Sequence, residues 1–177
     1  MGSLIVIALA GLPGAGKSTL AAALSACLRC PVLDKDRVRQ ALLGAQFTAY
    51  SRDEDDHCME LVYATVAFLA ERQTTAFALI DGRTFLRRGQ SERLVSIGSQ
   101  RGFQVRFVLC TAPREEVLRR IESDRSRHAH PAANRTRALF EEIEREARPL
   151  AHPHCVVDTH ALEIDAQVRQ VLEWIGS

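Results

Sequence analysis

The sequence lacks a hydrophobic run long enough to cross a membrane, and it lacks an excess of charge of one sign. Its apolar stretch 4–10 is too short for a span and leads straight into a glycine-rich loop, so we expect a buried strand there. The 23 lysines and arginines nearly balance the 22 aspartates and glutamates, which leaves a net charge of +1. This balance gives no general attraction to membranes or nucleic acid, so a polyanionic partner would need a local basic patch.

Cysteines are few, and their spacing indicates no disulfide framework. The chain has five, an odd number, at positions 27, 30, 58, 110 and 155. Cys27 and Cys30 have C-x-x-C spacing, but no second pair of cysteines or histidines follows at the distance of a zinc finger. Because no secretory signal is present, this usage indicates a reduced compartment, and we expect a cytoplasmic protein. The length of 177 residues suits one domain, 1–177.

The most specific motif lies at 11–19, where the sequence reads G-L-P-G-A-G-K-S-T and fits G-x-x-x-x-G-K-[ST]. An apolar strand enters this loop and an alanine- and leucine-rich helix leaves it, as a phosphate-binding loop requires. Lys17 would reach the β- and γ-phosphates, and the Ser18 hydroxyl would ligate Mg²⁺. We therefore expect a bound nucleoside triphosphate, held by Gly11, Leu12, Pro13, Gly14, Ala15, Gly16, Lys17, Ser18 and Thr19.

Five short apolar segments alternate with helical stretches, a pattern that predicts an α/β doubly wound domain with a parallel sheet. The predicted strands are 4–10, 31–33, 77–80, 103–110 and 155–157, and a helix is predicted over 86–101. Ligands of such sheets bind beyond the carboxyl ends of the strands. That rule brings the glycine-rich loop together with the segments 34–36, 81–83 and 158–160.

Two acidic residues follow the second predicted strand. Asp36 and Arg39 are three residues apart at the start of a predicted helix, so their side chains share one face. The carboxylate could accept the proton of an acceptor hydroxyl while the arginine orients it or holds an anion on the acceptor. The same pair could equally be a helix cap with an ion pair. Asp34 is a second candidate, since either carboxylate could cap the helix while the other faces the site.

Charged residues also follow the third predicted strand. Asp81 ends an apolar segment, where an acidic residue supports Mg²⁺ or its water shell, or else stabilises a turn. Arg83, Arg87 and Arg88 come next and could face the acceptor.

An acidic run lies at 53–56. Because Ser51 and Glu54 have the spacing of a capping box, we interpret this run as the first turn of a helix rather than as a metal site.

The segment 124–137 is rich in arginine and histidine and has no apolar period, which predicts a basic lid. An arginine that closes on a transferred phosphoryl group can be worth about 10³- to 10⁵-fold in rate. We expect at least one arginine in or beside the lid to act in this way, among Arg119, Arg120, Arg125, Arg127, Arg135 and Arg137.

Three motifs together resemble the small P-loop kinases related to phage polynucleotide 5′-kinase, zeta toxin and chloramphenicol phosphotransferase. They are the loop 11–19, D-K-D-R-V-R at 34–39 and L-I-D-G at 79–82, and the resemblance follows nearly the whole chain in order. It implies a single AAA-type P-loop kinase domain with a five-stranded parallel sheet in the order 2-3-1-4-5, flanking helices and a lid. It also implies ATP and Mg²⁺ as cofactors, and the sequence contains no N-K-x-D motif for guanine.

The resemblance further implies roles for single residues. Asp36 matches the general base of the family, and Arg39 matches the arginine that binds the acceptor or steadies that base. Arg120 matches the arginine that packs on adenine. Arg125 matches the arginine on the transferred phosphate imperfectly, because the family more often has it one residue earlier, where Asp124 stands. The alternatives are Arg127 and Arg119.

Three functions are open at this point. A kinase would move the γ-phosphate of ATP to a hydroxyl of a small molecule, with Asp34, Arg39, Asp81 and Arg83 on the acceptor side. A polynucleotide 5′-hydroxyl kinase is less favoured, because the net charge is near zero and the basic segment is poor in the aromatic residues that stack on bases. A nucleotide-gated binding protein would hold ATP or GTP without an acceptor. The resemblance favours the small-molecule kinase.

Overall fold

The computed structural model describes residues 2–126 and 136–176. The strands in these ranges are β1 (Ile5–Ala10), β2 (Val32–Asp34), β3 (Phe77–Asp81), β4 (Gln104–Thr111) and β5 (His154–Asp158). The helices are α1 (Lys17–Leu28), α2 (Lys35–Leu43), α3 (Arg52–Arg72), α4 (Gln90–Arg101), α5 (Arg114–Ser126), α6 (Arg137–Glu146) and α7 (Ile164–Gly176). None of these helices combines the length and the apolar character needed to cross a membrane.

The five strands form one parallel sheet in the order β2-β3-β1-β4-β5. The predicted fold class and strand order are confirmed. Successive side chains of the central strand β1 point to opposite faces. Val6 and Ala8 pack on the face that carries α3 and α4, whereas Ile7 and Leu9 pack on the face that carries α1 and α7. Helices therefore bury both faces, which explains why the segment is apolar throughout.

The start of α3 has the N-cap bond of the predicted capping box, while the Glu54 carboxylate binds the two residues before the N-cap. The backbone N–H of Glu54 donates to Ser51 Oγ at 3.2 Å. The Glu54 carboxylate accepts from the backbone N–H groups of Ala49 and Tyr50, both at 2.8 Å. These contacts satisfy donors at the helix entry and fix the chain that leads into it.

The helix predicted over 86–101 begins later than expected. α4 starts only at Gln90, after Gly89 with a φ of +83°. Phe85 turns into the core with a φ of +55°, and its ring forms a T-shaped pair with that of Phe107, with 5.7 Å between the ring centroids. Burial of this ring holds residues 82–89 in a loop, which we call the 82–89 loop. It follows β3 at the edge of the sheet where ligands of such folds bind.

The predicted lid falls mostly outside the described residues. α5 extends to Ser126, and α6 begins at Arg137 with Thr136 as its N-cap. Residues 127–135, which include Arg127 and Arg135, lie outside the described ranges, as does the side chain of Arg125.

Candidate active site

The glycine-rich loop, here called the P-loop (11–18), joins β1 to α1. Gly16 has a φ of +80°, and a Cβ at this position would lie 2.8 Å from Thr159 Oγ1 in the loop after β5. Lys17 donates from Nζ to the carbonyl oxygens of Gly11 and Leu12, both at 2.8 Å. The lysine thus lies across the loop at the N-terminus of α1, where backbone N–H groups favour an anion.

A cavity of about 370 Å³ opens at this helix N-terminus, and we call it the P-loop cavity. Six of the predicted nucleotide-binding residues line it, namely Gly14, Gly16, Lys17, Ser18, Thr19 and Arg120. Two other residues that were predicted to bind the nucleotide pack inside the protein instead. Ala15 is buried in the core beside α1, and Leu12 packs against α5. Gln167 of α7 also lines the cavity and was missed, because no motif marks it.

Arg120 of α5 links the P-loop to the loop after β5. Its guanidinium donates to Thr159 Oγ1 at 3.1 Å and to Thr159 O at 3.2 Å, and it reaches Gly14 O at 3.4 Å. Glu116, one turn earlier, accepts from Arg120 Nε at 2.7 Å. Hydrogen bonds from Arg119 and Arg120 lower the pKa of Glu116 to about 2. These contacts fix Arg120 in the wall of the P-loop cavity.

Two other arginines predicted for the lid are held away from that cavity. Arg119 is exposed and forms two hydrogen bonds of 2.8 Å with Glu116. Arg137 pairs with Glu141 at 3.0 Å. Among the lining residues that the structure describes, Arg120 is the only arginine of the P-loop cavity. The role of Arg125 on the transferred phosphate stays a prediction.

A second cavity, of about 510 Å³, lies on the other side of Lys17, and we call it the Asp36 cavity. Lys17 lines both cavities. Walls come from α2, α3, the 82–89 loop and α6. The lining residues are Pro13, Lys17, Lys35, Asp36, Arg39, Tyr50, Ser51, Arg52, Asp55, Asp56, Gly82, Arg83, Thr84, Arg87, Arg88, Gln90, Leu139, Glu142 and Ile143.

Four charged groups form a cluster in the wall of this cavity. Asp36 Oδ1 accepts from Arg39 Nη1 at 2.9 Å and lies 3.4 Å from Lys35 Nζ. Asp55 pairs with the same two cations, with Oδ2 2.9 Å from Lys35 Nζ and Oδ1 in contact with Arg39 Nη2. The shared face of Asp36 and Arg39 agrees with their spacing. Asp55 was missed as a site residue, because the acidic run that contains it has the pattern of a helix start. Lys35 lies in the segment 34–36 that was predicted to reach the site, but no role was predicted for it.

The sequence left open which of Asp34 and Asp36 caps α2 and which faces the site. Asp34 is the N-cap of α2, and its Oδ1 accepts from the backbone N–H groups of Asp36 at 2.8 Å and of Arg37 at 3.4 Å. This cap makes α2 begin at Lys35. Burial, followed by the charge of Asp81, raises the pKa of Asp34. Asp36 is therefore the carboxylate of this pair that faces the cavity.

Asp81 lies deeper, at the end of β3. It is 2% exposed, stands opposite Asp34 in the β2–β3 register, and accepts from the backbone N–H of Gly82 at 2.7 Å. Arg83 lines the Asp36 cavity and places Nη2 2.5 Å from Asp56 Oδ1. The acidic run at the start of α3 thus contributes two carboxylates to the cavity wall.

Lys35 is expected to lose its proton near pH 8. Burial is the largest cause, and it lowers the pKa of the ammonium from 10.5 to about 8 despite the nearby Asp36 carboxylate. Lys17 and Lys35 are the only lysines in the sequence. Lysine labelled with ¹³C at Cε therefore gives two NMR side-chain signals, and Lys35→Arg identifies the second. A Lys35 midpoint near 10.5 would contradict this prediction.

The same titration affects stability. Between about pH 8 and pH 10.5 the unfolded chain keeps this proton and the folded chain does not. The contribution of Lys35 to the free energy of unfolding therefore rises with pH across that window.

Gly82→Ala is expected to lower the free energy of unfolding by about 1–3 kcal/mol. Gly82 has a φ of +89°, and a Cβ there would lie 2.9 Å from Lys35 Cβ and 3.0 Å from Lys35 N. Gly44→Ala is the matched control, because its φ is +68° and no atom lies within 4 Å of the added Cβ. Denaturant unfolding compares the two variants. Equal losses would contradict the close contact between the 82–89 loop and α2.

Comparisons with known proteins agree with this geometry. A family model described as an AAA domain (AAA_33) matches residues 6–150. A candidate kinase from Chloroflexus aurantiacus is 25% identical over 97% of this chain and 98% of that one, with a TM-score of 0.77. The Mycobacterium tuberculosis APS kinase, in complex with AMPPNP and APS, is 16% identical over 100% of both chains, with a TM-score of 0.73. A gluconokinase from Sinorhizobium meliloti 1021 is 15% identical over 98% and 92%, with a TM-score of 0.67.

No curated protein matches the sequence. The family match includes the P-loop, Asp36, Asp81 and α5, so the resemblance to small P-loop kinases is confirmed. A P-loop in this fold supports a nucleotide-binding phosphotransferase. The chain belongs to the AAA_33 family of AAA domains and has the fold of the small P-loop kinases.

Proposed function

We propose that residues 1–177 act as one ATP-dependent kinase domain that moves the γ-phosphoryl group to a hydroxyl of a small molecule. The observation that carries the proposal is that Lys17 lines both cavities. The lysine of this motif reaches the β- and γ-phosphates, so the transferred group would lie where the cavities meet. Asp36 stands on the side opposite the nucleotide.

The residues around Asp36 support a role as general base. The hydroxyl oxygen of the acceptor would attack the γ-phosphorus while the Asp36 carboxylate takes the hydroxyl proton, and the bond to the bridging oxygen would break to release ADP. Arg39 at 2.9 Å and Lys35 at 3.4 Å hold the carboxylate in place. Lys17 and the N–H groups of the P-loop would stabilise charge on the transferred phosphoryl group, and Arg125 is our candidate for the lid arginine.

Mg²⁺ fits this site together with the nucleotide. Ser18 offers a hydroxyl in the P-loop cavity, and the buried Asp81 ends the strand beside β1. The described part of the chain holds no cluster of three His, Cys, Asp or Glu side chains able to bind a metal. By its place in the P-loop motif, Ser18 would hold the ion together with the phosphates, and the bound ion would neutralise part of the phosphate charge. The APS kinase complex with AMPPNP supports ATP as the nucleotide.

The Asp36 cavity favours a small acceptor over a polynucleotide. Its volume of about 510 Å³ lies in the range of small-molecule sites. Among its described lining residues only Tyr50 is aromatic, whereas single-strand binding grooves usually stack successive bases on several aromatic side chains.

The test is an acceptor scan with ATP labelled at the γ-phosphate. The panel contains sugars, sugar acids, nucleosides, hydroxylated antibiotics and one oligonucleotide with a free 5′-hydroxyl. Transfer of label to a small compound, lost in Asp36→Asn, would support the proposal. Label on the oligonucleotide alone would favour the polynucleotide kinase. Release of phosphate only, at a rate that Asp36→Asn does not change, would overturn the proposal in favour of a nucleotide-gated binding protein.

A further inference from the structure

The Asp36 cavity is lined by more cations than anions. Seven of its described lining residues are lysine or arginine, and four are aspartate or glutamate. The whole chain has a net charge of +1, so positive charge is concentrated here. Lys35 and Arg39 are balanced by Asp36 and Asp55. Arg52 of α3 pairs with Glu142 and Glu146 of α6. Lys17 belongs to the P-loop, so the three arginines of the 82–89 loop form the main cationic wall.

Two of these arginines are only partly satisfied. Arg83 directs Nη2 to Asp56 Oδ1 at 2.5 Å, and Arg87 directs Nη2 to Glu146 Oε2 at 2.9 Å. The Nε atoms of both side chains are buried and have no hydrogen-bond acceptor in the described part of the chain. Buried donors are rarely left unpaired in native proteins, so their presence in a cavity wall indicates an acceptor supplied by a ligand.

Arg88 and Arg39 also have guanidinium donors that are available to a ligand. Arg88 lines the cavity, and within residues 2–126 and 136–176 it has no ion pair. Arg39 has a side chain that is 4% exposed, and its Nε also lacks a hydrogen-bond acceptor in the same ranges. Guanidinium groups present several N–H donors in a fixed plane, which suits the oxygens of phosphate, sulfate and carboxylate groups.

We propose that the phosphate acceptor carries an oxyanion, and that this group binds to Arg83, Arg87 and Arg88 while the reactive hydroxyl faces Asp36. The proposal rests on the proposed kinase function and names the chemical class of its substrate. The unpaired Nε donors of Arg83 and Arg87 would hold the anion at the 82–89 loop and leave the other end of the molecule to reach toward Asp36 and the P-loop. Leu139 and Ile143 of α6 offer an apolar surface for the carbon skeleton between the two ends.

Binding of the anion can be measured without turnover. The full chain is saturated with Mg²⁺ and AMPPNP, so that the P-loop is filled, and sodium sulfate is titrated at constant ionic strength while NMR follows the amide signals of the 82–89 loop. Arg88→Gln is expected to weaken sulfate binding about tenfold or more, in keeping with a lost charge-assisted hydrogen bond. Arg88 is exposed, so this variant should fold. Arg169→Gln, an equal charge change at an exposed position of α7, is expected to leave sulfate binding unchanged.

Turnover provides the second arm. Hydroxyl compounds are compared in pairs that differ only in a phosphate, sulfate or carboxylate group, and the anionic member is expected to have the lower KM, with the difference reduced in Arg88→Gln. Equal use of both members, or sulfate binding that Arg88→Gln leaves unchanged, would overturn the oxyanion proposal while the kinase function stands. Arg88-dependent sulfate binding without phosphorylation of any compound would instead support the anion site and contradict the kinase.

Discussion

Asp36→Asn is expected to lower kcat/KM for phosphoryl transfer by about 10²- to 10⁴-fold, the contribution of a positioned general base. Asparagine keeps the size of the side chain and an oxygen that can accept from Arg39 Nη1, which lies 2.9 Å from Asp36 Oδ1. The neutral amide of asparagine, unlike the carboxylate of aspartate, is too weak a base to accept the hydroxyl proton. Asp36 lines the Asp36 cavity and is absent from the described lining of the P-loop cavity, so ATP affinity should stay close to that of the wild type.

The control for this variant is Asp53→Asn, which removes an exposed carboxylate from the first turn of α3. It is expected to keep full transfer activity. Thermal unfolding of Asp36→Asn should be measured in parallel, because removing the charge of one partner in a buried ion pair is destabilising. A folded Asp36→Asn protein that retains more than about a tenth of the wild-type kcat/KM would contradict a general-base role.

Much of the fold follows from local patterns in the sequence. The apolar stretch of β1 predicted a strand buried on both faces, and the structure places it in the centre of the sheet between two layers of helices. The P-loop motif is contiguous, so its geometry at the start of α1 could be read from the chain. Asp36 and Arg39 share a helix face because residues three apart always do.

Contacts between distant segments were not predictable in this way. Asp55 reaches Lys35 and Arg39 only because α3 packs beside α2, and no local spacing encodes that packing. The capping box at Ser51 gave the acidic run a sufficient local explanation and hid its second role. Burial of Phe85 overrode the helical pattern of the residues that follow it, and the resulting 82–89 loop became a wall of the Asp36 cavity.

Lys17→Met is expected to weaken ATP binding and to lower kcat/KM for transfer by about 10²- to 10³-fold, the effect of one lost electrostatic donor at a transition state. Methionine keeps much of the length and the apolar stem of the lysine side chain. The loss of activity therefore measures the contribution of the ammonium group. Lys17 Nζ also donates to the carbonyl oxygens of Gly11 and Leu12 at 2.8 Å. The free energy of unfolding of Lys17→Met should therefore be compared with that of the wild type in the absence of nucleotide. This comparison separates a destabilised P-loop from the loss of the contact with the phosphates.

Lys35→Met is the matched control, because both lysines line the Asp36 cavity and only Lys17 also lines the described wall of the P-loop cavity. Calorimetric titration should show that Lys35→Met binds ATP with an affinity near that of the wild type. The rate of phosphoryl transfer by this variant should be reduced, because Asp36 has lost a neighbouring cation. Equal loss of ATP affinity in both variants would contradict the assignment of Lys17 to the phosphates. If Lys17→Met alone lost ATP affinity and both variants lost transfer, the result would support a role of Lys17 on the phosphates and of Lys35 beside Asp36.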